Sequence, residues 1–473
     1  MAAVTNLFEK LANIFRVPDL RKRVLFTLGL LAVYRLGAHV PTPGINADKL
    51  AALFERSGGS FLGFIDMFSG GNARKLTVFA LGIMPYITAS IILQLLTVVY
   101  EPLAKLQKEG ELGRRKITQW TRYLTVMLGF VQSLFIAIGL QRQGDFVINP
   151  GVGFIVMTVL TLTTGTAFIM WLGEQITERG IGNGMSLLIF SGIVVGLPRG
   201  IHELYLKVET GAWGAGTPLW IAILVAVMVA IVGFIVYVER SERRIPVQYA
   251  KRIVGRRVMG GQSTHLPLKV NAGGVMPVIF ASSIITLPQM VLAPIKGSSG
   301  AMGSLITPVL GWLQFGEPLY TLLYALGIIF FAYFYISIVF NPNDVADNMR
   351  KHGGFIPGIR PGKRTGDFIN AVLTRLTLVG ALYLIIISFI PEWMLAGIRL
   401  NHLVLIGHWF ERLPSWLTNG LGVNFYFGGT SLLIVVGVAM DTVQQIEAQL
   451  IMRHYEGFTP RSGRIRGRQS WQR

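Results

Sequence analysis

The sequence predicts an all-α polytopic membrane protein of ten transmembrane helices, on three observations. Hydrophobic residues make up 52% of the 473 and charged residues only 14%, where soluble domains carry about 25% charged residues; the mean hydropathy is +0.54. Ten stretches pass as spans, near 24–40, 76–99, 121–140, 152–173, 184–198, 217–238, 273–294, 319–340, 370–391 and 425–446. The basic residues are unevenly shared between the sides these spans define. The N-terminal tail, the loops after spans two, four, six and eight, and the C-terminal tail hold 31 of the 43; the other side holds 10, and Arg35 and Arg375 fall within spans. The positive-inside rule makes the richer side, with both termini, cytoplasmic.

Taken in order, residues 1–23 place Leu7, Phe8, Leu11, Ile14 and Phe15 on one helical face before Arg21-Lys22-Arg23. That pattern predicts a cytoplasmic amphipathic helix at the interface and not a cleavable signal. Between spans one and two lies SFLGFIDMFSGG, Ser60 to Gly71, apolar but too short to cross a bilayer, which needs about 20 residues. A half-length apolar segment on the external side either lies along the membrane surface as an interfacial helix or re-enters to pack into protein or a water-lined cavity. Pro85 and Pro277 fall inside spans, where neighbouring helices satisfy the freed backbone.

Three cytoplasmic loops are too large for simple turns. The first is 101–122. The second, 239–270, carries eight basic residues and strand-like stretches around Gly260-Gly261, which predicts a projecting β-hairpin. The third, 341–368, presents Arg360 between Pro357 and Pro361. The second and third are expected to dock a cytoplasmic partner that is acidic or contains RNA. The tail 451–473 is basic.

Other classes fit less well. A secondary transporter buries acids near the midplane, whereas Glu174, Glu239 and Asp441 sit at span ends. There is no HExxH helix or Walker motif, and the seven histidines fall in or beside loops. Cysteine is absent, so there is no thiolate nucleophile or thiolate metal site. No catalytic residue, metal or cofactor is expected, and energy has to come from a partner.

The chain also resembles the SecY family of protein-conducting channels. The resemblance is carried by FIDMFSGG, FALGIMPYITASIILQLLTVV, KEGELGRRKITQ, ERGIGNGMS, QSTHLPLKVN, GGVMPVIFASSII, NPNDVADN, GIRPGKRT and FYFGGTSLLIVVGVAMDT, in order from about residue 18 to 455. It implies two pseudo-symmetric halves, 24–204 with spans one to five and 205–450 with spans six to ten, around a central hourglass pore. Unfolded secretory polypeptides would cross the bacterial cytoplasmic membrane there, and transmembrane segments would leave sideways into lipid. The resemblance assigns a pore ring to Ile83, Ile87, Ile189, Ile193, Ile279 and Ile434. It assigns a plug at 61–74, with Phe61, Phe64, Ile65, Asp66, Met67, Phe68, Ser69, Gly70 and Gly71, whose glycines are read as a hinge. A lateral gate between spans two and three and spans seven and eight would hold Gln94, Gln132 and Asn271. Arg256, Arg257 and Arg360 would dock the SecA motor or the translating ribosome; SecE, SecG and signal sequences are the other implied partners. A ring of isoleucines suits this task, because a neck that passes every side-chain type has to seal by dewetting and not by charge.

Overall fold

A computed structural model describes residues 17–47, 49–51, 66, 69–142, 146–209, 217–249, 252–254, 257–259, 263–292, 301–313, 317–396 and 429–456. The helices are α1 (Pro18–Gly37), α2 (Met84–Val99), α3 (Glu101–Lys108), α4 (Glu111–Arg142), α5 (Val152–Arg179), α6 (Gly184–Glu209) and α7 (Thr217–Arg240). They continue with α8 (Met276–Leu292), α9 (Ala301–Trp312), α10 (Pro318–Val339), α11 (Pro342–Lys351), α12 (Lys363–Ala396) and α13 (Gly429–Glu456). The strands are β1 (Glu242–Tyr249), β2 (Arg252–Val254), β3 (Arg257–Met259), β4 (Ser263–Lys269) and β5 (Gly354–Phe355).

Ten of these helices occupy the ten expected spans. Seven described helices are long and apolar enough to cross a membrane, and α2 with α3 forms an eighth candidate, bent by 105°. α1 carries Arg21, Lys22, Arg23 and Arg35, and α8 has only 17 residues, so these two rest on their neighbours for their place in the bundle. The outer faces of α5, α7 and α10 are apolar, with Leu160, Val229 and Leu326 exposed, the surface that lipid and not water would solvate.

Span two begins later than its composition suggests. Residues 76–83 are turns and not helix. Leu76 adopts φ 38° and Gly82 φ 58°, conformations an α-helix does not contain. Pro85 then starts α2 at a position where its missing N–H costs nothing. The turn segment is pinned by an antiparallel bridge between Pro41 and Thr77. It crosses α5 at Gly165, where a side chain would strike the Val78 carbonyl.

The motifs have local reasons. In ERGIGNGMS, Gly182 takes φ +85° and the Asn183 side chain accepts the Met185 N–H at 3.1 Å, which caps α6. In NPNDVADN, Asn341 caps α11 by accepting from the Asn343 N–H, with Pro342 in the first turn. In GIRPGKRT, Gly358 and Gly362 take φ +83° and +107°, and the Thr365 hydroxyl donates to the Arg360 carbonyl at 3.0 Å.

Helix packing falls into two sets of five spans. α1, α2, α4, α5 and α6 pack together, as do α7, α8, α10, α12 and α13. The sets meet along two seams: α6 against α13, and α8 against α2 and α4. α10 packs behind α8 and against α12.

The two large loops expected to dock a partner share one sheet. β1 pairs with β4 on one side and with β5 on the other, in the order β4-β1-β5. Ile245, Val247, Leu268, Met349, Ile356, Ile369 and Val372 form their shared core. The tip strands β2 and β3 pair as Val254 with Arg257, so the chain reverses between those residues and not at Gly260-Gly261.

Candidate functional site

All six expected ring isoleucines lie in one buried cluster that also holds side chains from both helix sets. Ile83 caps α2 and Ile87 follows one turn on. Ile189 and Ile193 lie one turn apart on α6, Ile279 on α8 and Ile434 on α13. These are four of the five helices that form the two seams. None of the six exceeds 7% exposure, and Ile193 and Ile434 have none. The cluster extends to Leu433, Ile91, Val278 and Ile387, which sequence reasoning did not select. An apolar residue in an apolar helix gives no signal of which face it shows.

Of the 61–74 segment, Asp66, Ser69, Gly70, Gly71, Asn72, Ala73 and Arg74 are described, while Phe61, Phe64, Ile65, Met67 and Phe68 lie outside the described residues. Its end is a polar knot. The Asp66 carboxylate is 3% exposed, accepts the Arg74 backbone N–H at 2.9 Å and stands 3.4 Å from the Arg74 guanidinium. Pairing is what makes such a buried charge tolerable. The Ser69 hydroxyl donates to the Asp66 carbonyl and accepts the Ala73 N–H. Tyr34 of α1, 1% exposed, donates to the Ser69 carbonyl and accepts from Asn72 at long distances of 3.4 Å. Its ring stacks on Phe79, Phe79 on Phe168, and Phe168 on Trp171, at 5.7, 6.0 and 5.7 Å. Arg35, the next residue of α1, donates through Nη2 to the carbonyls of Ser191 at 2.6 Å and Gly192 at 3.2 Å on α6. Sequence reasoning noted Arg35 only as a charge inside a span.

The two glycines expected as a hinge do different things. Both take positive φ, +71° and +84°, but a Cβ on Gly70 would lie 2.6 Å from Gly192 Cα, whereas nothing lies within 4 Å of one on Gly71. Gly71 has open space beside it, while its N–H donates to the Asp66 carbonyl at 2.8 Å; Gly70 is packed backbone against backbone on α6.

The three expected gate residues lie near the second seam without bonding one another. The Gln94 amide donates to Ser90 of its own helix at 3.3 Å. Gln132 is buried, and its Oε1, like that of Gln94, has no hydrogen-bond partner. Asn271 donates to Glu239 at 2.6 Å and to the Gly274 carbonyl at 3.1 Å. None of the hydrogen bonds among the described residues joins two of the three. The span-end acids are engaged too: Arg122 donates to Glu174 at 2.8 Å, and Lys269 stands 4.0 Å from Asp441. Arg360 is exposed at the loop tip, Arg257 lies in β3, and Arg256 falls outside the described residues. Among the described residues, no group of three or more His, Cys, Asp or Glu is placed to hold a metal ion.

Two sets of five spans, closed on each other through an apolar seam under a short capping segment, define a helical membrane channel. The family model of SecY matches residues 77–443. Protein translocase subunit SecY of Escherichia coli strain K12 is 50% identical over 93% of this chain and 93% of its own. A solved structure described as showing that the plug domain of the SecY protein stabilises the closed state of the translocation channel and maintains a membrane seal superposes with TM-score 0.60. It is 18% identical and covers 93% of this chain and 95% of its own. Sec61 in a canine ribosome-channel complex gives TM-score 0.55 at 16% identity, covering 93% and 95%. The chain belongs to the SecY family, a family of membrane channel subunits for protein translocation and not of enzymes.

Proposed function

We propose that unfolded secretory polypeptides pass between the two helix sets, through a neck made by Ile83, Ile87, Ile189, Ile193, Ile279 and Ile434. The observation that carries this is the convergence of all six on four of the five helices where the sets meet. At rest their side chains fill the neck, and a constriction lined only by branched alkyl groups excludes water and ions by dewetting. Residues 61–74 act as the plug on the external side. Signal sequences enter at the α8 seam with α2 and α4, which opens as a lateral gate to lipid. The buried and unsatisfied amide oxygens of Gln94 and Gln132 make that seam the weaker one.

Both termini and the β4-β1-β5 platform face the cytoplasm, in keeping with the distribution of basic residues. Arg256, Arg257 and Arg360 engage the SecA motor and the translating ribosome; the ribosome reading draws on the fold shared with Sec61 in its ribosome complex. SecE and SecG complete the heterotrimer in the bacterial cytoplasmic membrane. The domains are 1–23, 24–204, 205–450 and the basic tail 451–473.

A stalled secretory chain carrying photoreactive residues tests the neck. Crosslinks should concentrate at the six isoleucines, while Leu160 and Val229, on the outer face, should give none. Crosslinks spread evenly between the two sets of positions would overturn the assignment.

A further inference from the structure

We propose that Gly70 and Gly192 form the closed-state seat of the plug, and that Tyr34 and Arg35 of α1 are the positioning residues that hold its two sides together. The proposal rests on the plug reading of 61–74 and goes further, by naming the contact that defines the closed position.

Gly70 approaches α6 so closely that a single added carbon would sit 2.6 Å from Gly192 Cα and 3.0 Å from its carbonyl oxygen. Real Cβ atoms do not come that near backbone, so only glycine allows the approach. The seat is one residue from Ile193, in the ring, and one turn from Ile189. The same stretch of α6 is gripped from α1, since Arg35 donates to the carbonyls of Ser191 and Gly192. A cation inside a spanning helix is costly, and its place at a backbone contact is a reason to look for a role. Tyr34, one residue earlier, reaches the plug side through the Ser69 carbonyl and Asn72. Adjacent residues of one helix thus hold the plug end and the ring helix, and Gly70 closes the third side. The Asp66–Arg74 pair ties the plug end into a compact loop. Gly71 donates its N–H to the Asp66 carbonyl at 2.8 Å and has open space where a side chain would stand, which makes it the control position for Gly70.

The test compares Gly70→Ala with Gly71→Ala in the channel purified with its companion subunits and reconstituted in planar bilayers. Both substitutions put alanine at positive φ and share that strain; only Gly70→Ala meets Gly192. Its resting ion conductance should exceed that of Gly71→Ala by about tenfold, equivalent to about 1.4 kcal/mol. Arg35→Met should also leak, and Arg35→Lys, which keeps a donor, should leak less. If Gly70→Ala does not assemble, the Arg35 pair carries the test alone. Equal conductance of the two alanine variants, or of the two Arg35 variants, would overturn the seat. Deleting 61–72 separates this from failure of the plug reading: a deletion that conducts no more than wild type defeats the plug itself. A leaky deletion with equal alanine variants defeats only the seat.

Discussion

Ile434 has no exposed surface and packs among side chains contributed by both helix sets. Exchanging Ile434 for Asn puts an amide where no polar partner waits, a cost of about 1–3 kcal/mol to the closed state. The expected outcome is a steady ion leak in planar bilayers and export of proteins with defective signal sequences. An ion-tight variant with unchanged signal selectivity would remove Ile434 from the neck. At this scale the sequence was legible only in part. Its apolar patterning marks the helices, but the six isoleucines could be singled out only through the family resemblance, because lipid and a dry neck select the same side chains. Tyr34 and Arg35 went unassigned for another reason: apart from the Asn72 amide that reaches Tyr34, their partners are backbone carbonyls, which any residue carries and no motif displays.

Among the elements, the β4-β1-β5 platform is the one whose parts the sequence separates. β5 is two residues long and follows β1 by more than a hundred, so no local pattern announces the pair. Gly260-Gly261 looked like the reversal, yet Val254 pairs with Arg257 and places it earlier. The start of α2 was misread for a related cause, since residues 76–83 are apolar enough for a span while their positive φ values come from tertiary contacts. Ile369, with 0% exposure, packs α12 under the sheet. Truncating Ile369 to Ala should cost the platform about 2–5 kcal/mol. Amide hydrogen exchange in β1, β4 and β5 should accelerate together and motor-driven export should fall. Replacing exposed Arg360 with Glu should abolish that export while leaving exchange unchanged. Independent exchange of β4 and β5 in Ile369→Ala would show two loops and not one body.

For the molecule as a whole, ten spans follow from composition and an expected orientation from charge asymmetry, and the helices stand where the apolar runs do. What composition does not contain is how the two sets meet, because seams between helices use the same residues as the interior of each set. The absence of native cysteine makes orientation directly measurable. A cysteine placed at Arg360 should react with an impermeant maleimide only from the cytoplasmic side, and one at His39 only from outside. The reverse pattern would invert the topology and with it every docking assignment.

The sheet order β4-β1-β5 also sets a timetable. β1 ends at residue 249, but its second partner lies at 354–355, and the apolar floor beneath it is completed by Ile369 and Val372. A chain under synthesis therefore carries the β1–β4 hairpin and its tip strands β2 and β3 long before β5 and the floor beneath them exist. The platform becomes rigid only after α8 and α10 have been made and α12 has begun. A half-made copy accordingly displays a hairpin whose third strand and apolar floor are still to come.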